Sequence, residues 1–447
     1  MKTTTTFTLL AILSCALTAY SQTIESSDLP AYVHATNAPQ TWPDGEVLPT
    51  PEKLQQTVGF GLLDLEQLAL QNNPTLAQAR ARFQAARGRQ KQAGLYPNPV
   101  IGYSGGEIGN EGRAGQQGGY VGQELVTAGK LRLSRQVAGQ EVVRLQQEVA
   151  VQQFRVLTDV RSTFYDVLVA QRTVELTTQL VQLAEEGIKA AEALLKAQEG
   201  SRVDLLQARV EANTTRILFE NAQKRHQGAW RRLATLVGMP DMTVQQLAGD
   251  AEQIEPPLKW EVALSRVLSE SPELAAAAAA VETARCATQR ARVEWIPNVD
   301  VQAGVQHDNA SGDNIAGVQF AIPLPVYNRN QGNIAAANAE LVAAHRNVDR
   351  VRLGLQNRLA EVFQRYATYR QQVEKYRRAV LPDAKETLDL VAQGYKQGEF
   401  SYLNLLTAQR TYFQSNLAYL ESLLQLRQAH AEIEGLLLSN SFEGLPQ

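Results

Sequence analysis

The chain has 447 residues, with 43 basic against 46 acidic side chains, 44% hydrophobic and 20% charged residues. That is the composition of a folded protein without the positive field that gathers nucleic acid, so polyanion binding is excluded as a first reading. Two cysteines, Cys15 and Cys286, supply neither a disulfide framework nor a thiolate cluster. The five histidines, His34, His226, His307, His345 and His430, fall at no ligand spacing, so no metal site or cofactor is expected.

Lys2, a threonine-rich stretch, the apolar run Phe7 to Leu13 and the small residues of Ala19-Tyr20-Ser21 predict a secretory signal over 1–21, cleaved after Ser21. A second processing route uses Ile12-Leu13-Ser14-Cys15, which loosely matches a lipoprotein box and would acylate Cys15. No later run of about 18 apolar residues predicts a membrane-spanning helix. Residues 22–58, punctuated by Pro30, Pro39, Pro43, Pro49 and Pro51, read as an extended arm.

From there the sequence repeats itself. Asn72-Asn73-Pro74-Thr75-Leu76-Ala77 returns as Glu270-Ser271-Pro272-Glu273-Leu274-Ala275, Pro97-Asn98 returns as Pro297-Asn298, and Asp204-Leu205-Leu206 returns as Asn404-Leu405-Leu406. The chain is therefore one unit duplicated, over 59–246 and 257–438, with a tail at 439–447. Each copy predicts a very long helix, about 131–197 and about 330–396. Val160, Val167, Val174, Val181, Ile188 and Leu195 recur every seven residues in the first, and Leu341, Val348, Leu355, Val362, Tyr369 and Tyr376 in the second. A heptad seam predicts left-handed supercoiling. At about 1.5 Å per residue such a helix is a rod on the order of 100 Å.

Between the helices the period changes to two. Val299, Val301, Ala303 and Val305 alternate with Asp300, Gln302, Gly304 and Gln306, a polar turn follows, and a second run spans 315–322, giving a hairpin over about 298–322. The first copy has a weaker counterpart over about 99–126, with a glycine-rich loop. One apolar and one wet face, at a length near that of a tilted strand through hydrocarbon, fits either a small hairpin packed on helices in water or part of a membrane barrel. In the second case four strands cannot close around a channel. Three protomers supply about twelve, so a homotrimer is expected, with a helical tube continuing the barrel.

The segment Ile322-Pro323-Leu324-Pro325-Val326-Tyr327-Asn328-Arg329-Asn330-Gln331-Gly332-Asn333-Ile334 resembles the elbow that leaves the barrel in the TolC-like outer-membrane efflux proteins, in their heavy-metal (cobalt-zinc-cadmium type) branch. The resemblance covers nearly the whole mature chain, from Leu63-Asp64-Leu65-Glu66 to about Leu438. It implies a mainly α fold with a small β part, a duplicated unit trimerising into a 12-stranded outer-membrane barrel on a periplasmic α-helical tube. It also implies a passive exit duct with no enzymatic activity, working with a periplasmic adaptor protein and a proton-driven inner-membrane pump, and surrounded by outer-membrane lipid. The cargo would be metal ions or small toxic compounds. An exit duct for protein secretion and a secreted coiled-coil scaffold without a barrel stand as alternatives.

The resemblance also implies that the helices turn at their periplasmic tips near Gly200 and Gly398 and close the duct there. Asp204 and Tyr395 fall at closing-network positions, whereas Asp204 read on its own is a helix-end cap. The arginine expected two residues after Gly398 is Phe400, and the two positions of an acidic ring are Asn404 and Thr407. Met239 and Met242, after Gly238, fit a helix stop better than a soft-metal pair.

Overall fold

The computed structural model describes residues 59–443, apart from 113, 199, 254 and 398. The signal segment, Cys15, the proline-rich arm, Gly398 and the last four residues lie outside them. The element order is α1 (Leu62–Asn72), α2 (Pro74–Ala93), β1 (Val100–Gly106), β2 (Gln116–Leu125), α3 (Lys130–Lys196), α4 (Arg202–Val237), α5 (Trp260–Glu270), α6 (Pro272–Val293), β3 (Val299–Asp308), β4 (Asn314–Ala321), α7 (Gln331–Lys375), a π turn (Tyr376–Val380), α8 (Leu381–Lys396) and α9 (Tyr402–Glu434).

The duplication is visible in how each copy starts. Asn73 ends α1 and caps α2: its Oδ1 accepts from the Thr75 N–H at 2.9 Å, and Pro74 at the first helical position lacks the N–H that would otherwise be orphaned. Ser271 and Pro272 repeat the arrangement 198 residues later, the Ser271 Oγ accepting from the Leu274 N–H at 3.4 Å. The spacing persists in the core, where Leu65, Ala69 and Ala79 match Ala263, Val267 and Ala277, all buried.

Each copy has its own apolar centre. Leu65, Leu68 and Leu76 pack with Val156, Val160, Phe164, Trp230 and Leu233 in the first. Val351, Leu355, Leu359, Val362 and Tyr366 pack with Leu176, Leu180, Leu420, Leu423 and Ala429 in the second. Helix α3 serves both, since it packs against α2, α4, α6 and α9. That double duty changes the expected seam. Val160 and Val167 are fully buried, but farther along Leu176, Thr177, Leu180, Ala184 and Ala191 take the most buried places and Val174, Val181, Ile188 and Leu195 are half-buried. A helix with neighbours on two sides needs a stripe wider than one heptad position.

The first long helix runs 67 residues without interruption. The second, expected as one rod over about 330–396, contains the π turn, where the Leu381 N–H reaches back to the Tyr376 carbonyl. Pro382 accounts for it: proline has no N–H for the helical ladder, and its ring crowds the carbonyl four residues earlier. Beyond the turn no apolar side chain of α8 is fully buried among the described residues.

The hairpins join into one antiparallel sheet, β1-β2-β3-β4. The central pairing couples Gln116 through Leu125 with Asp308 through Val299. Register assigns the faces, because directly opposed residues share one. Ile101, Val121, Ala303 and Val318 lie across one face, flanked by Tyr103, Leu125, Val301, Val305 and Phe320. Ile101 is 82% exposed and Phe320 68%. The other face carries Ser104, Gln302, Gln306 and Gln319 among Gly102, Gly118, Gly122, Gly304 and Gly317; the Gln306 amide donates to the Ser104 Oγ at 2.7 Å. Gly102 is needed because the Tyr120 ring lies over it, leaving no room for a Cβ.

Residues after α9 pack onto α3. The Asp159 carboxylate accepts from the N–H groups of Asn440 at 3.0 Å and Ser441 at 2.6 Å, and the buried Gln152 amide bridges Thr75 Oγ1 and the Ser441 carbonyl. The two caps give an ordered expectation. Asn73 also donates to the Leu236 carbonyl at 2.8 Å, so Asn73→Ala should cost about 2–3 kcal/mol by loss of the cap and of a buried partner, and Ser271→Ala about 1 kcal/mol. Chemical denaturation of the two variants should give that order.

Candidate gate at the helical tips

The turn from α3 to α4 is shaped by two residues. The Gly200 N–H donates to the Leu194 carbonyl at 3.1 Å, and a Cβ on Gly200 would lie 2.9 Å from that of Leu194. Ser201 then starts α4 with a reciprocal cap: its Oγ accepts from the Val203 N–H at 3.1 Å while Asp204 Oδ2 accepts from the Ser201 N–H at 3.2 Å. The local reading of Asp204 as a helix-end cap is therefore what its hydrogen bonds show, and its remaining influence is through charge.

At the second tip Ser401 caps α9. Its hydroxyl donates to Asn404 Oδ1 at 2.9 Å and accepts from the Asn404 N–H at 3.4 Å. Phe400, standing where the family resemblance places an arginine, lays its ring on Gly394, whose carbonyl accepts from the Glu399 N–H at 2.9 Å. Asn404 and Thr407 are exposed, the Thr407 hydroxyl donating to the Leu403 carbonyl at 2.8 Å.

The two tips pack on one another. Ala191, Leu205, Ala208, Tyr402 and Leu406 form a buried cluster, with Ile188, Leu195 and Tyr395 at its margin. The Tyr395 and Tyr402 rings are 6.0 Å apart and tilted by 59°. Burial raises the Tyr395 phenol above its ordinary value, and the Asp204 carboxylate adds to this. Burial pushes Tyr402 up to about 12, with further contributions from Glu211 and Tyr395. Glu211, buried on α4, accepts from Arg410 on α9 at 2.6 and 3.2 Å, tying the helices that lead away from the two tips.

The Asp204 charge is thus felt at Tyr395, while Asn404 and Thr407 are exposed. The sequence reading missed Tyr402, Gly394 and the Glu211–Arg410 bridge. The bridge carried a signal, because its members are 199 residues apart, close to the repeat offset; Tyr402 carried none. Away from the tips, the histidine that looked isolated has neighbours. His430 Nε2 lies 3.3 Å from Glu255, and its Nδ1 lies 4.0 Å from Glu434, which Arg161 holds at 3.5 Å. One donor atom from each of Glu255, His430 and Glu434 lies within 4.8 Å of the other two, with Glu434 also held by Arg161.

Comparison with known proteins meets this geometry at both copies. The family model described as "Outer membrane efflux protein" matches residues 65–239 and again 263–437. The chain belongs to that family. It is an efflux channel protein of the outer membrane. Among relatives, the cobalt-zinc-cadmium resistance protein CzcC of Cupriavidus metallidurans is 28% identical over 371 residues, covering 83% of this chain and 88% of its own. The alkaline protease secretion protein AprF of Pseudomonas aeruginosa is 24% identical over 299 residues, 60% of this chain and 62% of AprF. A crystal structure of CusC, solved in work on its folding and transmembrane channel formation, has a TM-score of 0.69 at 19% identity, covering 90% of this chain and 99% of that one.

The tyrosine pair yields a pH expectation. The folded tip holds the Tyr402 proton more tightly than the unfolded chain does, so tip stability is complete below the ordinary value of 10.0 and falls as pH rises from there towards about 12. Tyrosinate absorbance should appear late for this residue, and Tyr402→Phe should flatten the alkaline loss of tip structure followed by hydrogen exchange.

Proposed function

We propose that the chain is the exit duct of a three-part efflux assembly, a homotrimer whose sheets close into a barrel of about twelve strands in the outer membrane. The helices would carry the duct into the periplasm, where an adaptor protein and a proton-driven inner-membrane pump deliver metal ions or small toxic compounds. The duct is passive and has no catalytic step of its own. The observation carrying this reading is the sheet: four strands with both edges free among the described residues, one face exposing Ile101, Val318 and Phe320 and the other lined by glycine and glutamine. In hydrocarbon every backbone amide needs a partner, so such a sheet is stable only when closed by further copies.

A detergent-extracted trimer is the expected species. Val301→Lys should lower its assembly by about 2–4 kcal/mol, while Gln302→Lys, on the wet face, is tolerated. Equal tolerance at the two positions, or a soluble monomer, would revive the coiled-coil scaffold. The relation to AprF favours a second reading, a duct for secreted polypeptide. The two separate by phenotype: a deletion strain that becomes sensitive to cobalt, zinc or cadmium supports efflux, and one that retains a secreted protein supports secretion.

The gate follows from the same reading. A long duct that stood open would leak, so the tip contacts must hold it shut and yet release. Asp204→Ala should raise the resting conductance of reconstituted trimers, since it removes both the cap and the charge beside Tyr395. Asn404→Asp with Thr407→Asp should increase cation selectivity by restoring negative charge on the exposed face. Unchanged single-channel currents in both variants would place the constriction elsewhere.

A further inference from the structure

The junction between sheet and helices has a chemistry that the duct reading leaves unused. From Gln67 to Gly106 there is no acidic residue, and α2 carries Arg89 and Lys91 in its last turns. Arg132 and Arg135 stand in the first turns of α3, Arg292 in the last turn of α6, and Arg329 just before α7. These six are exposed and have no carboxylate partner among the described residues. Of the nearby acids, Glu294 pairs with Arg290, Glu141 with Arg144 and Glu282 with Arg285, Glu124 accepts from Asn298 at 2.6 Å, and Asp300, opposite Glu124 in the sheet, is exposed.

The six belong to one level of the molecule. A Cβ on Gly94 would touch Arg135 at 3.0 Å, one cleft is lined by Arg89, Ser134 and Thr283, Arg290 donates to Ser134 at 2.8 Å, and Asn330 donates to the Ala291 carbonyl at 2.8 Å. The local surplus of positive charge is felt inside the junction as well. Lys130, buried and donating to Asn298, lies below its ordinary pKa through burial first and the Arg290 charge second. Between this level and the apolar sheet face stand three exposed aromatic residues: Tyr96 before β1, Trp295 before β3 and Tyr327 after β4, the last 92% exposed. Tyrosine and tryptophan favour the boundary between hydrocarbon and headgroups, and cations just beyond that boundary meet lipid phosphate.

We propose that this aromatic and cationic collar is a binding surface for anionic glycerophospholipid headgroups in the leaflet nearest the helices. The proposal rests on the reading that the apolar sheet face lies in the bilayer. The cations are unpaired, the aromatic girdle lies between them and the hydrocarbon-facing residues, and a negatively charged phosphate is the chemistry both features fit.

The test uses the intact trimer reconstituted in phosphatidylcholine, with and without phosphatidylglycerol, and counts retained lipid by native mass spectrometry after mild delipidation. The wild type should retain phosphatidylglycerol over phosphatidylcholine, with a preference that weakens with salt. The combined variant Arg89→Gln, Lys91→Gln, Arg132→Gln, Arg292→Gln should lose roughly fivefold in that preference per charge removed while keeping its conductance. Should the combination fail to assemble, Lys91→Gln and Arg292→Gln separately give the same readout. Equal phosphatidylglycerol retention by wild type and variant overturns the proposal. So does altered ion selectivity with unchanged lipid retention, which would place the cations on the lumen side. Failure of the wild type to insert into either vesicle overturns the bilayer reading itself, a result distinct from insertion without lipid preference.

Discussion

Two unpaired strand edges govern the architecture. Among the described residues, β1 and β4 each present a row of backbone N–H and C=O groups with no strand neighbour, and the sheet between them turns large apolar side chains outward. Neither feature is tolerable for an isolated chain: free edges invite pairing, and an exposed apolar face of this extent seeks cover. The glycines of the opposite face belong to the same constraint. They let Tyr120 lie flat across Gly102 and leave that wall thin and wet, lined by glutamine amides. The helices inherit their layout from the sheet, since each copy must send its chain out through one strand and back through the next before entering a long helix.

The duplication explains how helices of this length are stabilised. The first copy buries α1 and α2 against its own α3 and α4, but the second cannot complete its centre alone, because Val169, Leu176 and Leu180 of α3 pack into the cluster that holds Ala263, Val267 and Ala277. Helix α3 contributes to both centres and makes the two copies one body. The segment between the copies is fastened as well. Arg427 donates to the Ala251 carbonyl at 2.9 Å and lies 5.0 Å over the Tyr165 ring, and the Tyr366 hydroxyl accepts from the Leu258 N–H at 3.1 Å. Polar groups of buried helices thus satisfy the carbonyls and N–H groups of a crossing without regular structure, as burial requires.

Much of this was legible in the chain because it rests on local rules. The Asn-Pro and Ser-Pro pairs announce helix starts, alternation from Val299 to Gln306 announces a strand, and an aliphatic residue every seven positions from Val160 to Leu195 announces a long helix. The pairing of β2 with β3 was not legible, since it joins Leu125 to Val299 across more than a hundred residues through contacts without a local pattern. The tip cluster escaped for a related reason. Tyr402 looks like any helix-start aromatic until Gly187 and Tyr395 are seen beside it. Asp204 shows the reverse case: its sequence context already said cap, and its hydrogen bonds say so too, while its effect on Tyr395 exists only in the folded tip. His430 looked solitary because its carboxylate neighbours lie one turn along α9 and in the segment between copies, and only folding brings the latter close.

The π turn at Tyr376–Val380 makes the two copies unequal in phase. One residue added to a turn rotates everything beyond it by about 100° around the helix axis. Before the turn, Val362, Tyr366 and Val373 point into the shared core; beyond it no apolar side chain of α8 among the described residues is fully buried, although both stretches pack on α9. The first copy has no such rephasing, as its long helix keeps one angular register from Lys130 to Lys196. A duplicated gene has therefore become a molecule with one continuous spoke and one re-clocked spoke. Any ring assembled from several chains would then present two kinds of helical surface in alternation.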